Sequence, residues 1–385
     1  MLALLGLAIG LVTAEVLLQV APYDVLSYPL YQTDETFGAV LRPNLAGWQT
    51  KEGRVFVRTN AQGFRDRPWT AAKAAGTFRI AVLGDSYAEA VQVEREEAFW
   101  AVLERELTDC LPAAYRRVEV LNFGVSGYGT GQELLMLRHK VWDFDPDLVL
   151  LAFLPDNDVR NNSRALEPRD ERPFFQLQED RLLLDNSFRQ DPQWQALERS
   201  RWVRGKDWLI RHVELAAVVY QLRHPLAASP AAVTDGLIEQ GLSRQIYRPP
   251  QDAAWREAWE LTDRLLLTMH QEVTARDIPF LVMVVTSGVV VRPETEPRAA
   301  LREELEVEDL FYADRRIAQL GEAAGFPVVV LSAAMQAKAA EEGVYFHGFA
   351  NTQWGTGHWN RQGHAFAGRR LAEVICGEDL WKLPR

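Results

Sequence analysis

Four short stretches of this chain carry side chains suited to acyl transfer. Gly84-Asp85-Ser86 closes the apolar run RIAVLGDS, NFGVSG contains Gly127, PDNDV contains Asn157, and GTGHWNRQGH contains His358. A serine hydroxyl attacks a carbonyl when a base takes its proton, and imidazole is a common base for that step. The tetrahedral oxyanion that follows needs donors aimed at it. The backbone N–H groups of Ser86 and Gly127 and the side-chain amide of Asn157 are the candidates. A glycine at 127 lets a backbone donor approach substrate with no Cβ in the way. Each residue also has a plainer reading. Ser86 alone could be a loop serine capping the next helix. His364 competes with His358 as the base, but it opens the last helix, where a structural role fits better. Trp354 and Trp359 flank the histidine and read equally as a substrate wall or as packing.

The elements that must position these residues follow from the pattern of apolar runs. RIAVL (79–83) is a short apolar run ending at a glycine turn, which reads as a buried parallel strand. RVEVLNFG (117–124), LVLLAFL (148–154), PFLVMVVT (279–286) and FPVVVL (326–331) repeat the signal, with helical spacing between them. Strands alternating with helices predict βαβ units and a parallel sheet. Ser86, Gly127 and Asn157 then fall at or after carboxyl ends of strands, and His358 in the loop before the final helix. In open α/β sheets that edge is where ligands bind.

The remainder organises around this core. Residues 1–21 are apolar except for Thr13, Glu15 and Gln19, and their length predicts an uncleaved membrane anchor rather than a helix packed on the domain. The soluble part would then face the extracytoplasmic side. Residues 22–78 read as a lead-in with short strands, including a hairpin over AGWQ and RVFVRTN; Arg65 and Arg67 within it read as solvated surface. Residues 79–385 form the main domain, interrupted at about 163–250 by a hairpin and a helical stretch rich in Trp and Arg. HPLAASPAAVTDG reads there as a flexible connection. The formal charge of −11 argues against a nucleic-acid partner. Two cysteines exclude a Cys-based zinc cluster, and two histidines six residues apart with no nearby carboxylate do not make a metal site. No cofactor is expected: GYGTG lacks the third glycine of a dinucleotide loop.

The order and wording of the four blocks resemble the SGNH (GDSL-like) hydrolase superfamily: GDS, the Gly of NFGVSG, the N-D of PDNDV, and HWNxxGH. The resemblance covers residues 75–160 and 345–376 well. It implies a flavodoxin-like three-layer α/β/α sandwich with a five-stranded parallel sheet in the order 2-1-3-4-5. It also implies hydrolysis or transfer of ester-linked acyl groups, with Ser86 and His358 catalytic and Ser86, Gly127 and Asn157 forming the oxyanion hole. The chain departs from the family pattern twice. Pro155 stands where the third block normally has Gly. Gly355 and Thr356 stand where an Asp usually precedes the catalytic His. Three acceptors can replace that Asp: a backbone carbonyl in 354–356, the Thr356 hydroxyl, or a carboxylate from elsewhere, with Glu89 nearest in sequence. The backbone carbonyl is preferred, which predicts a Ser86–His358 dyad.

The expected function is therefore that of an esterase acting on a cell-surface glycan or lipid. An acyltransferase passing the acyl group to a polysaccharide hydroxyl and a catalytically impaired binding protein are the alternatives. In a sheet of that order the helices ending near Cys110 and Cys376 lie side by side on one face and run the same way. A disulfide between the two is expected, with two buried thiols as the alternative.

Overall fold

The structure, a computed structural model, describes residues 2–20, 30–169, 171–223, 242–377 and 380–381. Helix α1 (Leu2–Val20) comes first, followed by two antiparallel hairpins, β1 (Tyr31–Asp34) with β2 (Gly38–Leu41) and β3 (Ala46–Gln49) with β4 (Val55–Arg58). The central sheet begins with β5 (Thr77–Gly84). Helices α2 (Ser86–Glu89) and α3 (Phe99–Leu107) lead to β6 (Arg117–Asn122), α4 (Thr130–His139) to β7 (Leu148–Phe153), and α5 (Pro155–Asn162) follows. The insertion contains the hairpin β8 (Phe174–Gln178) and β9 (Arg181–Asp185), then α6 (Pro192–Arg199), α7 (Arg201–His212) and α8 (Glu214–Arg223). The long helix α9 (Ala253–Thr274) returns the chain to β10 (Phe280–Val284). Helices α10 (Gly288–Val291), α11 (Glu296–Leu305) and α12 (Tyr312–Ala324) precede β11 (Val328–Val330). Helices α13 (Ser332–Glu342) and α14 (Arg361–Gly377) complete the domain.

The sheet runs β6-β5-β7-β10-β11 and every pairing is parallel, which is the order 2-1-3-4-5. Helices cover both faces, so the inner strands are apolar throughout: every residue of β5, β7 and β10 is buried. A run of Val, Leu and Ile can occupy such a strand because neither face meets water. The strand order also leaves a crevice at the carboxyl ends of β5 and β7, where the chain switches direction across the sheet.

Three sequence expectations meet the structure here. Cys110 and Cys376 are disulfide-bonded, with Cα atoms 6.0 Å apart, and α3 packs along α14 as expected. Arg65 is not solvated surface. It is 2% exposed, and one of its Nη groups donates to the carbonyl of Val93. Of the apolar N-terminal segment, α1 turns most of its large side chains outward, from Leu4 to Leu17. Its Glu15 carboxylate accepts the backbone N–H groups of Glu214 and Leu215, both at 2.9 Å, and so caps α8. No helix among the described residues is long and apolar enough to cross a membrane. The connection HPLAASPAAVTDG lies outside the described residues.

Candidate active site

Ser86 begins α2 directly beyond the end of β5. The turn is held by its neighbour: Asp85 Oδ1 accepts the N–H of Tyr87 at 2.9 Å and caps the short helix. Asp85 Oδ2 accepts Nδ2 of Asn157 at 2.9 Å, so one carboxylate fixes both the serine turn and the amide on α5. Asp85 is fully buried, and burial pushes its carboxyl up while the Tyr87 and Asn157 bonds oppose that. Ser86 Oγ lies 2.8 Å from Nε2 of His358.

His358 is carried by the loop between α13 and α14. His347 pairs with Trp359 across an isolated bridge, Gly348 donates to the carbonyl of His358 at 3.2 Å, and Asn360 donates to the carbonyl of Phe346 at 2.9 Å. The ring of Tyr87 sits beside the imidazole, with centroids 5.1 Å apart, and its hydroxyl donates to the carbonyl of Gly357. Nδ1 of His358 lies 2.9 Å from Oε2 of Glu52, and the backbone N–H of His358 donates to the same oxygen at 2.9 Å. This corrects the expected dyad, because the acceptor is neither a local carbonyl nor Thr356 nor Glu89. The Thr356 hydroxyl donates to the carbonyl of Gln353 at 2.8 Å. Glu89 points the other way along α2 and accepts the N–H of Ser126 at 2.6 Å and the Tyr31 hydroxyl at 2.7 Å.

Glu52 stands in the turn between β3 and β4, far from His358 in sequence. Asn351 ties that turn to the histidine loop. Its Oδ1 accepts the N–H of Gly53 at 2.8 Å, and its Nδ2 donates to the carbonyls of Thr50 and Gly53. Burial alone would raise the Glu52 carboxyl. The charge of His358 and its two hydrogen bonds outweigh burial and hold the carboxyl at about 2. Only a polar turn within an alternating hairpin signalled this residue in the sequence, and such turns are ordinarily solvent-facing.

Gly127 follows β6 with φ +76°, a left-handed conformation that favours glycine. Its loop is bound to the serine turn through the N–H of Val125, which donates to the carbonyl of Gly84 at 3.1 Å, and to α5 through Asn161, whose Nδ2 donates to the carbonyl of Gly127 at 3.3 Å. Glu89 holds the same loop through Ser126. Asn157 uses Nδ2 toward Asp85, and that nitrogen carries two hydrogens, leaving one for a ligand. Pro155 takes the first position of α5, where its missing N–H costs nothing.

Two further buried carboxyls lie behind the site. Burial pushes Asp158 well above the ordinary range, with Glu133 and Asp85 adding to it; Glu133 is raised by burial and by Asp85. Other sequence candidates lie elsewhere. His364 is buried, accepts the N–H of Phe99 at 3.2 Å and stacks on the Phe99 ring. Trp359 is fully buried packing, whereas Trp354 is 47% exposed and rests on Tyr345. No group of three or more His, Cys, Asp or Glu among the described residues is arranged to hold a metal ion.

No family model and no curated protein matches this chain. Among solved structures it is similar to the acetyl xylan esterase AlAXEase, at 10% identity and a TM-score of 0.40, covering 77% of this chain and 100% of that one. It is similar to a lipase/acylhydrolase from Enterococcus faecalis, at 15% identity and a TM-score of 0.38, covering 78% and 96%. A catalytic mutant of Axe2, an acetylxylan esterase from Geobacillus stearothermophilus, matches at 13% identity and a TM-score of 0.40, covering 79% and 96%.

Proposed function

We propose that the chain is a serine esterase using Ser86, His358 and Glu52. The observation that carries this reading is the unbroken line from Ser86 Oγ to His358 Nε2 at 2.8 Å and from His358 Nδ1 to Glu52 Oε2 at 2.9 Å. Ser86 Oγ attacks the ester carbonyl as Nε2 takes its proton, and Glu52 stabilises the imidazolium and holds its orientation. The N–H groups of Ser86 and Gly127 and the free hydrogen on Asn157 Nδ2 receive the oxyanion. The imidazolium returns its proton to the leaving alcohol, and the acyl-Ser86 ester forms. Water, deprotonated by His358, then attacks that ester and frees the acid and Ser86.

The substrate class that fits this reading is an acyl ester on a cell-surface glycan or lipid. One feature supports a place outside the cytoplasm, the Cys110–Cys376 bridge, which persists in oxidising compartments; the outward apolar side chains of α1 separately suit contact with lipid.

The test is covalent labelling by a fluorophosphonate together with turnover of p-nitrophenyl esters of graded chain length. Wild type should label and turn over, and Ser86→Ala should do neither while melting at the same temperature. Absence of labelling in wild type would replace the esterase by a binding protein. Turnover only in the presence of a sugar acceptor would replace hydrolysis by transfer.

A further inference from the structure

We infer that Arg169 forms an anion-binding subsite beside the Gly127 loop, so that the ester hydrolysed here is borne on a molecule with a carboxylate or phosphate near the scissile bond. The inference rests on the esterase reading and narrows its substrate class. A Cβ built on Gly127 would lie 3.3 Å from one terminal nitrogen of Arg169 and 3.6 Å from the other. The guanidinium therefore lies beside Gly127, the residue whose N–H is assigned to the oxyanion.

Its orientation is set from behind. The backbone N–H and the Nε of Arg169 both donate to Oε1 of the buried Glu167, at 3.1 and 2.8 Å. Glu167 is fixed in turn by its own N–H, which donates to the carbonyl of Ser163 at 2.9 Å. Nε is clamped on Glu167, and among the described residues neither terminal nitrogen has a hydrogen-bond partner. The Arg169 side chain is 57% exposed. A planar fork held at its base and open at its tip matches a carboxylate or a phosphate in two parallel bonds.

The surroundings add positive charge. Arg160 reaches Oε2 of Glu167 at 3.4 Å. Arg172 is 7% exposed, and its Nη1 is buried without a partner. Burial first, then the charge of Arg169, lowers the Arg172 guanidinium to about 10. Three guanidiniums thus gather around Glu167, on a chain whose formal charge is −11. An acidic protein repels anions at long range, so a local basic cluster at the reacting edge is where an anion would be drawn in. The donors for the oxyanion lie within hydrogen-bond reach of the reacting carbonyl, and the Arg169 fork is in contact distance of that loop. The anion should therefore sit about one sugar ring from the ester carbonyl.

The test compares kcat/KM for three acetylated sugars: O-acetyl glucose, O-acetyl glucuronic acid and O-acetyl glucose 6-phosphate. Wild type should favour one or both anionic esters over the neutral one by about tenfold or more, the scale of a charge-assisted fork. The two anionic arms separate a carboxylate from a phosphate ligand. Arg169→Gln should bring the anionic-to-neutral ratio toward one, and Arg169→Lys should restore part of it. A wild-type ratio near one overturns the proposal. So does a variant that lowers all three substrates equally, since that would make Arg169 a prop for the Gly127 loop. Should wild type turn over none of the three and resist fluorophosphonate, the esterase reading fails by itself. Calorimetry with glucuronate and glucose then decides: glucuronate binding that is lost in Arg169→Gln keeps the subsite, and no preference for glucuronate removes it.

Discussion

A Cβ placed on Gly357 would fall 2.9 Å from Oε2 of Glu52, the oxygen that receives both His358 N–H and Nδ1. Gly357 also has φ +74°, where an alanine is strained by roughly 1–2 kcal/mol. Gly357→Ala should therefore push the carboxylate off the imidazole. Ester turnover should fall about 10²-fold or more, since an unsupported imidazole keeps its hydroxyl contact but loses its orienting charge. Equal kcat in wild type and variant would show that Glu52 does not act through His358.

Removing the carboxylate itself should cost more. Glu52→Gln retains shape but presents an amide to Nδ1, and kcat should drop about 10³- to 10⁴-fold, as loss of a triad acid does elsewhere. Steady-state kinetics on a p-nitrophenyl ester measures it, and more than a tenth of wild-type kcat would reinstate a dyad.

Glu52 also predicts a pH effect on stability. Its carboxyl sits at about 2 in the fold against an ordinary 4.5, so the unfolded chain binds the proton more readily. The stabilisation is complete above about pH 4.5 and is withdrawn as pH falls toward 2. Denaturant melts of wild type and Glu52→Gln should differ at pH 6 and converge near pH 2. A gap that does not narrow on acidification would contradict this.

Asn157→Ala should reduce kcat about 10²- to 10³-fold with little change in KM if its amide meets the oxyanion. Asp85→Asn keeps the size of the group that holds that amide but loses its charge, and it should follow in the same direction. An effect confined to KM would make Asn157 a substrate-binding residue instead.

The bridge between Cys110 and Cys376 spans 266 residues, and chain-entropy estimates give about 5 kcal/mol for a loop of that length. Cys110→Ser with Cys376→Ser should lower Tm, and a reductant should lower the wild-type Tm to a similar value. Insensitivity of the wild-type Tm to reductant would mean the bond adds nothing to stability.

The strand order and the cysteine pairing were legible because each is marked locally, by an apolar run or a helix end, and marks of the same kind put Ser86, Gly127, Asn157 and His358 forward as candidates. Glu52 was not, because its partner is 306 residues away and nothing in a hairpin turn distinguishes a ligand from a solvated carboxylate. The expectation favoured a backbone carbonyl, and among carboxylates proximity in sequence pointed to Glu89. One turn of α2 instead carries it beneath the Ser126 loop, where it accepts a backbone N–H and the Tyr31 hydroxyl. Arg65 was misjudged for a related reason. A charged residue beside turn residues reads as exposed, yet hydrophobic neighbours such as Phe64 and Trp69 draw that segment onto the sheet.

The hairpin origin of Glu52 sets an order of events during synthesis. A chain emerging from its N-terminus presents Glu52 early, then Ser86, and His358 only after the sheet strands have followed. Until the His358 loop arrives and Asn351 fastens the Glu52 turn to it, the line from Ser86 through His358 to Glu52 is unassembled, so on the proposed mechanism a nascent chain is chemically silent.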